Sequence, residues 1–285
     1  MALPVLDAAI ADTVDSHERP KTYGVFMLAN VIPAAVAGAV AGVVYPATGA
    51  AALLLFAAAL ESIGFLILRK NLRKIPLAKV EQEAEEEASN LAQVVKDAGK
   101  YWRLFAVFAA DSLSWSIAAS IAPALLKAVQ GYTSVDFGII AAAFQLGVAF
   151  GTLPGGLFAN KIGSRNLFVT SELLGATTWL AWGLHPAPEF AGIYAFIWGT
   201  AVSTWVPVQF QVLTAVFPSD RRGGLLGAVA TFRGVLSTAG PVFAALLYLR
   251  LGYTGPFLIG SGAILCTVLL IVKFIPPQVG AVSRS

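Results

Sequence analysis

The chain has 285 residues, a mean hydropathy of +0.75 and only 12% charged residues, against about 25% in an average soluble domain. That excludes an ordinary soluble globular protein, and the apolar blocks are long enough to be helices crossing lipid rather than barrel strands. The net charge of +3 comes from loop lysines and arginines and speaks of membrane topology, not of nucleic-acid binding.

Residues 1–12 are apolar but too short to span, and they read as the last turns of a helix whose beginning is absent. Residues 1–15 lack a basic start and carry Asp7 and Asp12, so no cleavable signal peptide is expected there. Spans are predicted near 24–45, 47–68, 104–127, 136–159, 166–184, 190–214, 224–249 and 253–275, each close to the ~20 residues a bilayer requires. Turn signals separate them at Pro46–Gly49, Gly131–Thr133, Pro186–Pro188 and Gly252–Gly255. Between the second and third spans, residues 69–103 form the one substantial polar linker. Val80, Ala84, Ala88, Leu91 and Val95 recur there at helical spacing among glutamates, which predicts an amphipathic surface helix.

With this layout the basic residues fall on one side. Arg19, Lys21, Lys161, Arg165, Arg221, Arg222, Lys273 and Arg284 share a side with the linker, and only Lys127 and Arg250 lie opposite. The positive-inside rule then places 13–23, 69–103, 160–165, 215–223 and the C-terminus in the cytoplasm, in a multi-pass plasma-membrane protein. Arg233 is left at lipid depth.

Two stretches echo each other. Ser16–Tyr45 slides onto Ser219–Tyr248 so that Ser16 meets Ser219, Arg19 meets Arg222, Gly24 meets Gly227, Ala41 meets Ala244 and Tyr45 meets Tyr248. Each runs from a charged turn through a glycine into a long apolar helix, the pattern of transporters built from repeated helical units. The turn after the fourth span reads Gly156-Leu-Phe-Ala-Asn160-Lys161-Ile-Gly163-Ser-Arg165. It resembles the G-x-x-x-D-[RK]-x-G-[RK]-[RK] loop of the major facilitator superfamily in its degraded second copy, with Asn160 in place of the acid and Ser164 at the first basic position. The resemblance implies helices five to twelve of a twelve-helix transporter, preceded by a remnant of helix four. Residues 1–68 would then be the remnant of the first half, 69–103 the linker, 104–275 the six-helix second half and 276–285 a tail. It further implies secondary transport of a small solute by alternating access, with the loop from Gly156 to Arg165 acting at the cytoplasmic gate.

Several intramembrane residues are candidates for the path. Asp111, Ser112, Trp115 and Ser116 occupy one side of the span 104–127, within about 140° on a helical wheel, and a carboxylate in hydrocarbon is by default a substrate, ion or proton site. Arg233 needs a partner as much as Asp111 does, so the two are predicted to pair or to share a watery pocket, and any coupled proton is assigned to Asp111. Tyr194, Trp198, Trp205 and Gln209 form a stripe within about 60° on the span 190–214, suited to an amphipathic or cationic solute or to plain aromatic packing. Gln145 is a lesser candidate. Glu172 and Glu61 are read as acids that snorkel toward an interface. Gly147, Gly151 and Gly155 make one small-residue ridge and Gly38 and Gly42 another; helices five and eight of the family meet at the seam between halves, so these ridges either meet there or pack each within its own half.

No P-loop, no HExxH and no His/Cys/Asp cluster is present, and the single cysteine, Cys266, lies in an apolar block. His17 and His185 are far from Ser112 and Ser116 in this layout. The chain is therefore expected to be no enzyme and to take no cofactor or metal. Its expected partners are the lipid bilayer, a small-molecule substrate and a proton, and a missing N-terminal half or another subunit. The alternative reading is a truncated, non-transporting fragment or a membrane scaffold subunit.

Overall fold

The computed structural model describes residues 19–72, 96, 98–218 and 222–277. The predicted remnant at 1–12, His17, the surface helix of the linker and the tail beyond 277 lie outside the described residues. All regular structure among those described is helical. The helices are α1 (Arg19–Leu72), α2 (Trp102–Ala128), α3 (Ser134–Ile162), α4 (Ser164–Leu184), α5 (Ala191–Val216), α6 (Arg222–Ser237), α7 (Gly240–Leu251) and α8 (Thr254–Phe274), with a short 3-10 turn at Pro188–Phe190.

Among the described residues, six stretches are long and apolar enough to cross a membrane: Ala29–Ile67, Trp102–Ala128, Ser134–Thr152, Pro188–Leu213, Gly223–Leu251 and Thr254–Phe274. The eight expected crossings differ from these in two places. The expected spans 24–45 and 47–68 share one stretch, because the helix continues through Pro46 and leaves helical geometry only at Gly49 (φ 73°, ψ 175°), a conformation glycine adopts without steric cost. Ala29–Ile67 has 39 residues, roughly 58 Å as a straight helix against about 30 Å of hydrocarbon, so Gly49 divides a stretch twice the needed length. The expected span 166–184 falls on α4, which is long enough but too polar to qualify by composition. It sits between α5 and α8, and its polar residues Ser171, Glu172 and Thr178 are buried against them and α2, so packing shields what lipid would not accept.

The helices are held by backbone-close contacts. α3 packs most extensively on α5, and the part of α1 before Gly49 covers another face of α3. A side chain on Gly147 would collide with the Phe196 carbonyl of α5, and one on Gly199 with the Phe144 carbonyl of α3. Val31, Ala35 and Gly42 are the buried edge of α1, and a Cβ on Gly42 would stand 2.6 Å from the Gly138 Cα. The two glycine ridges therefore do not meet each other: Gly38 and Gly42 face Gly138 and Ala141 of α3, while Gly147 and Gly151 face Phe196, Thr200 and Ser203 of α5. Gly155 belongs to the helical part of α3. Beyond Gly49, none of the described residues of α1 is buried; Leu54, Leu55 and Phe56 are outward-facing, as befits contact with acyl chains.

Turns close the bundle at its ends. Gly131, Gly163 and Gly252 all have positive φ. Tyr132 donates from its hydroxyl to the Pro186 carbonyl at 3.0 Å, tying two turns together. Burial pushes its phenol up to about 12, so it remains a donor through neutral and mildly alkaline conditions.

Candidate functional site

Two aromatic-rich cores fill the interior. One joins Leu104, Phe108, Phe168, Trp205, Phe217 and Ile271; the other joins Ala118, Ala176, Trp179, Trp182, Ala195 and Phe257. Between them, on α2 and α4, stand the two buried acids. Asp111 keeps 4% of its side chain exposed, and Glu172 is fully buried.

Arg233 of α6 reaches across to this point. Its Nη2 lies 2.6 Å from Asp111 Oδ2, its Nε donates to Ser112 Oγ at 2.8 Å, and its Nη1 donates to Gln209 Oε1 of α5. Gln209 also accepts from Trp205 Nε1 at 3.1 Å. The guanidinium is thus held by three partners on two neighbouring helices, α2 and α5, as its fork of donors allows. It stays open on its other side, with 26% of the side chain exposed, and lies 6.0 Å from the centre of the Phe108 ring.

Glu172 completes the cluster from the inside. Trp115 Nε1 donates to its Oε2 at 3.0 Å. Its Oε1 is buried without a hydrogen-bond partner among the described residues, and its carboxyl is an electrostatic neighbour of that of Asp111. Two carboxyl groups can bond only when a proton sits between them. One cation and two acids make a neutral set when that single proton is present, which is the arrangement a dry interior favours.

Local sequence explains the fit. Glu172 and Gly175 lie three apart on one face of α4, and a Cβ on Gly175 would overlap the Trp115 indole. The glycine makes the slot through which the tryptophan reaches the acid. Gly175→Leu is expected to evict Trp115 and to blue- or red-shift its fluorescence, while Gly227→Leu, at a glycine with open space, leaves the emission unchanged. Ser114, one turn beyond Asp111, turns back to the Asp111 carbonyl at 2.9 Å and meets Thr267 of α8 at 3.5 Å.

The sequence-derived candidates divide. Asp111, Ser112, Arg233, Gln209 and Trp205 are brought together, with Trp115 one step away through Glu172. Glu172 does not snorkel as expected: it turns inward and is fully buried, where the Trp115 indole N–H donates to it. Glu61 is exposed on the outer arm of α1, apart from the cluster. Ser116 bonds its own helix at Leu113 and abuts Gly240. Gln145 is half-buried on α3 and takes no part in these hydrogen bonds. The predicted stripe does not line one hollow. Trp205 packs on Phe168 and Phe108, whereas Trp198 packs on Phe144, Trp179 and Trp182, and Tyr194 bonds the His185 carbonyl at 3.3 Å. Rings of this size gain more from edge and tilted contacts with one another than from facing water.

In the loop at 156–165, α3 runs helical through Lys161 to Ile162, past the expected end of the span. Gly163 (φ 86°) makes the turn, a Cβ there would stand 2.8 Å from the Pro277 carbonyl, and α4 begins at Ser164. The side chains of Gly156, Asn160 and Lys161 lie outside the described residues; Arg165 is half-buried.

The sequence model described as Major Facilitator Superfamily matches residues 104–284. The chain belongs to this superfamily of transporters. Within the superfamily, it is 23% identical over 176 residues to the uncharacterized MFS-type transporter Rv1250 of Mycobacterium tuberculosis, covering 61% of this chain and 30% of that protein. It is 24% identical over 169 residues to the niacin transporter NiaP of Acinetobacter baylyi, covering 59% of this chain and 38% of that protein. The chain thus spans about a third of the length of the curated superfamily relatives it matches. No solved structure matches. Asp111 and Arg233 both lie in the part of the chain that the superfamily model matches.

Proposed function

We propose that the chain carries out secondary transport of a small solute by alternating access in the plasma membrane, with the Asp111–Arg233–Glu172 cluster in the path and a proton as the coupled ion. The observation that supports this most is the ion pair at 2.6 Å between Arg233 and Asp111, two to three turns into α6 and α2. Intramembrane ion pairs of this kind are costly to keep and mark substrate or proton pathways. The membrane-spanning half from 104 to 275 rocks against the helices preceding the linker, and the loop from Gly156 to Arg165 works at the cytoplasmic gate.

The experiment is uptake into proteoliposomes under an imposed proton gradient, with the 285-residue chain beside a version extended upstream. Gradient-driven uptake of a solute pool, lowered at least tenfold by Asp111→Asn, is the expected result. Uptake by neither version would replace transport with a scaffold role. Orientation is tested in the same preparation on a Cys266→Ala background: a cysteine at 163 is expected to label from the cytoplasmic side and one at 131 from the opposite side. Labelling of both from one side would refute the assigned topology.

A further inference from the structure

We propose that the open side of Arg233 is the receptor for the negative group of an organic anion, and that each anion bound there brings one proton onto the Asp111–Glu172 pair. This rests on the transport reading above and names the solute class and the stoichiometry of that site.

Three observations carry it. The guanidinium uses three of its five N–H donors, on Asp111, Ser112 and Gln209, so two remain for a ligand. A quarter of the side chain is exposed, whereas Asp111 and Glu172 are closed off; an incoming ligand meets the cation and not the acids. The anchoring by Ser112 and Gln209 is neutral, so it survives when Asp111 lets go. A carboxylate arriving from the open side matches the fork of the guanidinium and competes with Asp111 for it.

The charge count fixes the rest. The charged groups acting on Asp111 are Arg233 and Glu172, and those acting on Glu172 are Asp111 and Arg233. Among the described residues, the α5 side chain bonded to Arg233 is the uncharged Gln209, and the α8 side chain bonded to the turn after Asp111 is the uncharged Thr267, on Ser114. Without ligand, the cation, one carboxylate and one carboxylic acid sum to zero. Once an organic anion on the two free donors has neutralised Arg233, Asp111 faces Glu172 without a net positive charge beside it. Two neighbouring buried carboxyls do not both keep a negative charge, and with the cation neutralised neither is stabilised, so the pair takes up a proton. Nothing is oxidised or broken: one anion and one proton enter together, and they leave together.

The test uses the 285-residue chain in lipid nanodiscs. Calorimetric titrations with acetate and with benzoate, and with benzamide as an uncharged counterpart, are run in two buffers of different ionisation enthalpy. The expected result is binding of a carboxylate at least tenfold tighter than benzamide and uptake of about one proton per carboxylate bound, with affinity falling toward tenfold per pH unit on the alkaline side. The double variant Asp111→Asn/Glu172→Gln should still bind the carboxylate, but with no proton uptake and no pH dependence. Arg233→Gln should lose binding at least tenfold while eluting from a sizing column as the unchanged chain does. Should that variant not fold, the proton count on the unchanged chain decides by itself. No carboxylate binding, equal binding of benzamide, or carboxylate binding without proton uptake overturns the proposal. Proton-linked carboxylate binding with no flux into vesicles removes the transport reading and leaves this one standing; flux of a neutral or cationic solute without carboxylate binding does the reverse.

Discussion

Replacing Arg233 with methionine is expected to lower stability by about 3 kcal/mol, and adding Asp111→Asn to that variant is expected to recover most of the loss. The reason is asymmetry. Asp111 is almost wholly buried, and taking away its cation leaves a buried carboxyl that must either take up a proton or stay charged with no positive partner, at a cost in both cases. Breaking one side of a buried pair costs about 3–5 kcal/mol; the low end applies because Arg233 keeps a quarter of its side chain exposed. The asparagine removes the stranded charge and still bonds. A double-mutant cycle in mixed-micelle unfolding reads the result, with a coupling above about 1.5 kcal/mol expected for groups in direct contact. Strictly additive losses would show that the pair is close without being energetically linked.

The second large effect is expected at the α3–α5 contact. Gly147→Leu and Gly199→Leu should each destabilise by more than about 3 kcal/mol, beyond the usual range for overpacking, and deplete the folded protein on expression. Each added side chain would run into a backbone carbonyl of the opposite helix, Phe196 for one and Phe144 for the other, and a backbone cannot move aside as a flexible side chain can. In lipid this close approach is itself the source of association. Gly227→Ala is the control: open space surrounds that position, and a helical alanine there should be neutral or stabilising by up to about 1 kcal/mol. Equal losses at all three sites would mean that helix propensity, not the seam, was being measured.

Hydropathy alone made most of the bundle legible, because lipid tolerates so few side chains that the apolar blocks declare themselves. The exception, α4, is the helix that neighbours shield, and a polar composition there reports its burial in protein rather than its absence from the membrane. The pairing of Asp111 with Arg233 was legible for the same reason: isolated charges at lipid depth need each other. Glu172 reads as a snorkelling acid when α4 is taken by itself. Compared across helices, Asp111, Glu172 and Arg233 all lie about two to three turns from the starts of α2, α4 and α6, helices that alternate with α3 and α5 and so run in one sense. Matched depth on parallel helices was the available signal. The stripe of Tyr194, Trp198, Trp205 and Gln209 was real as a stripe, but a helical wheel gives a direction without saying what stands there, and two separate sets of rings do.

The span that carries Arg233 is not one rod. α6 stops at Ser237 and α7 restarts at Gly240, with Ser237 and Thr238 turning their hydroxyls back onto the Gly234 and Val235 carbonyls. At that joint Gly240 rests directly on Ser116 of α2. Were this joint to act as a fulcrum, Arg233 would sit roughly 10 Å along the lever. Tilting α6 by about 10° would carry the guanidinium about 2 Å, enough to take a 2.6 Å contact out of bonding range. A swing too small to disturb the packing of the neighbouring rods would therefore suffice to unlatch the cation from its acid.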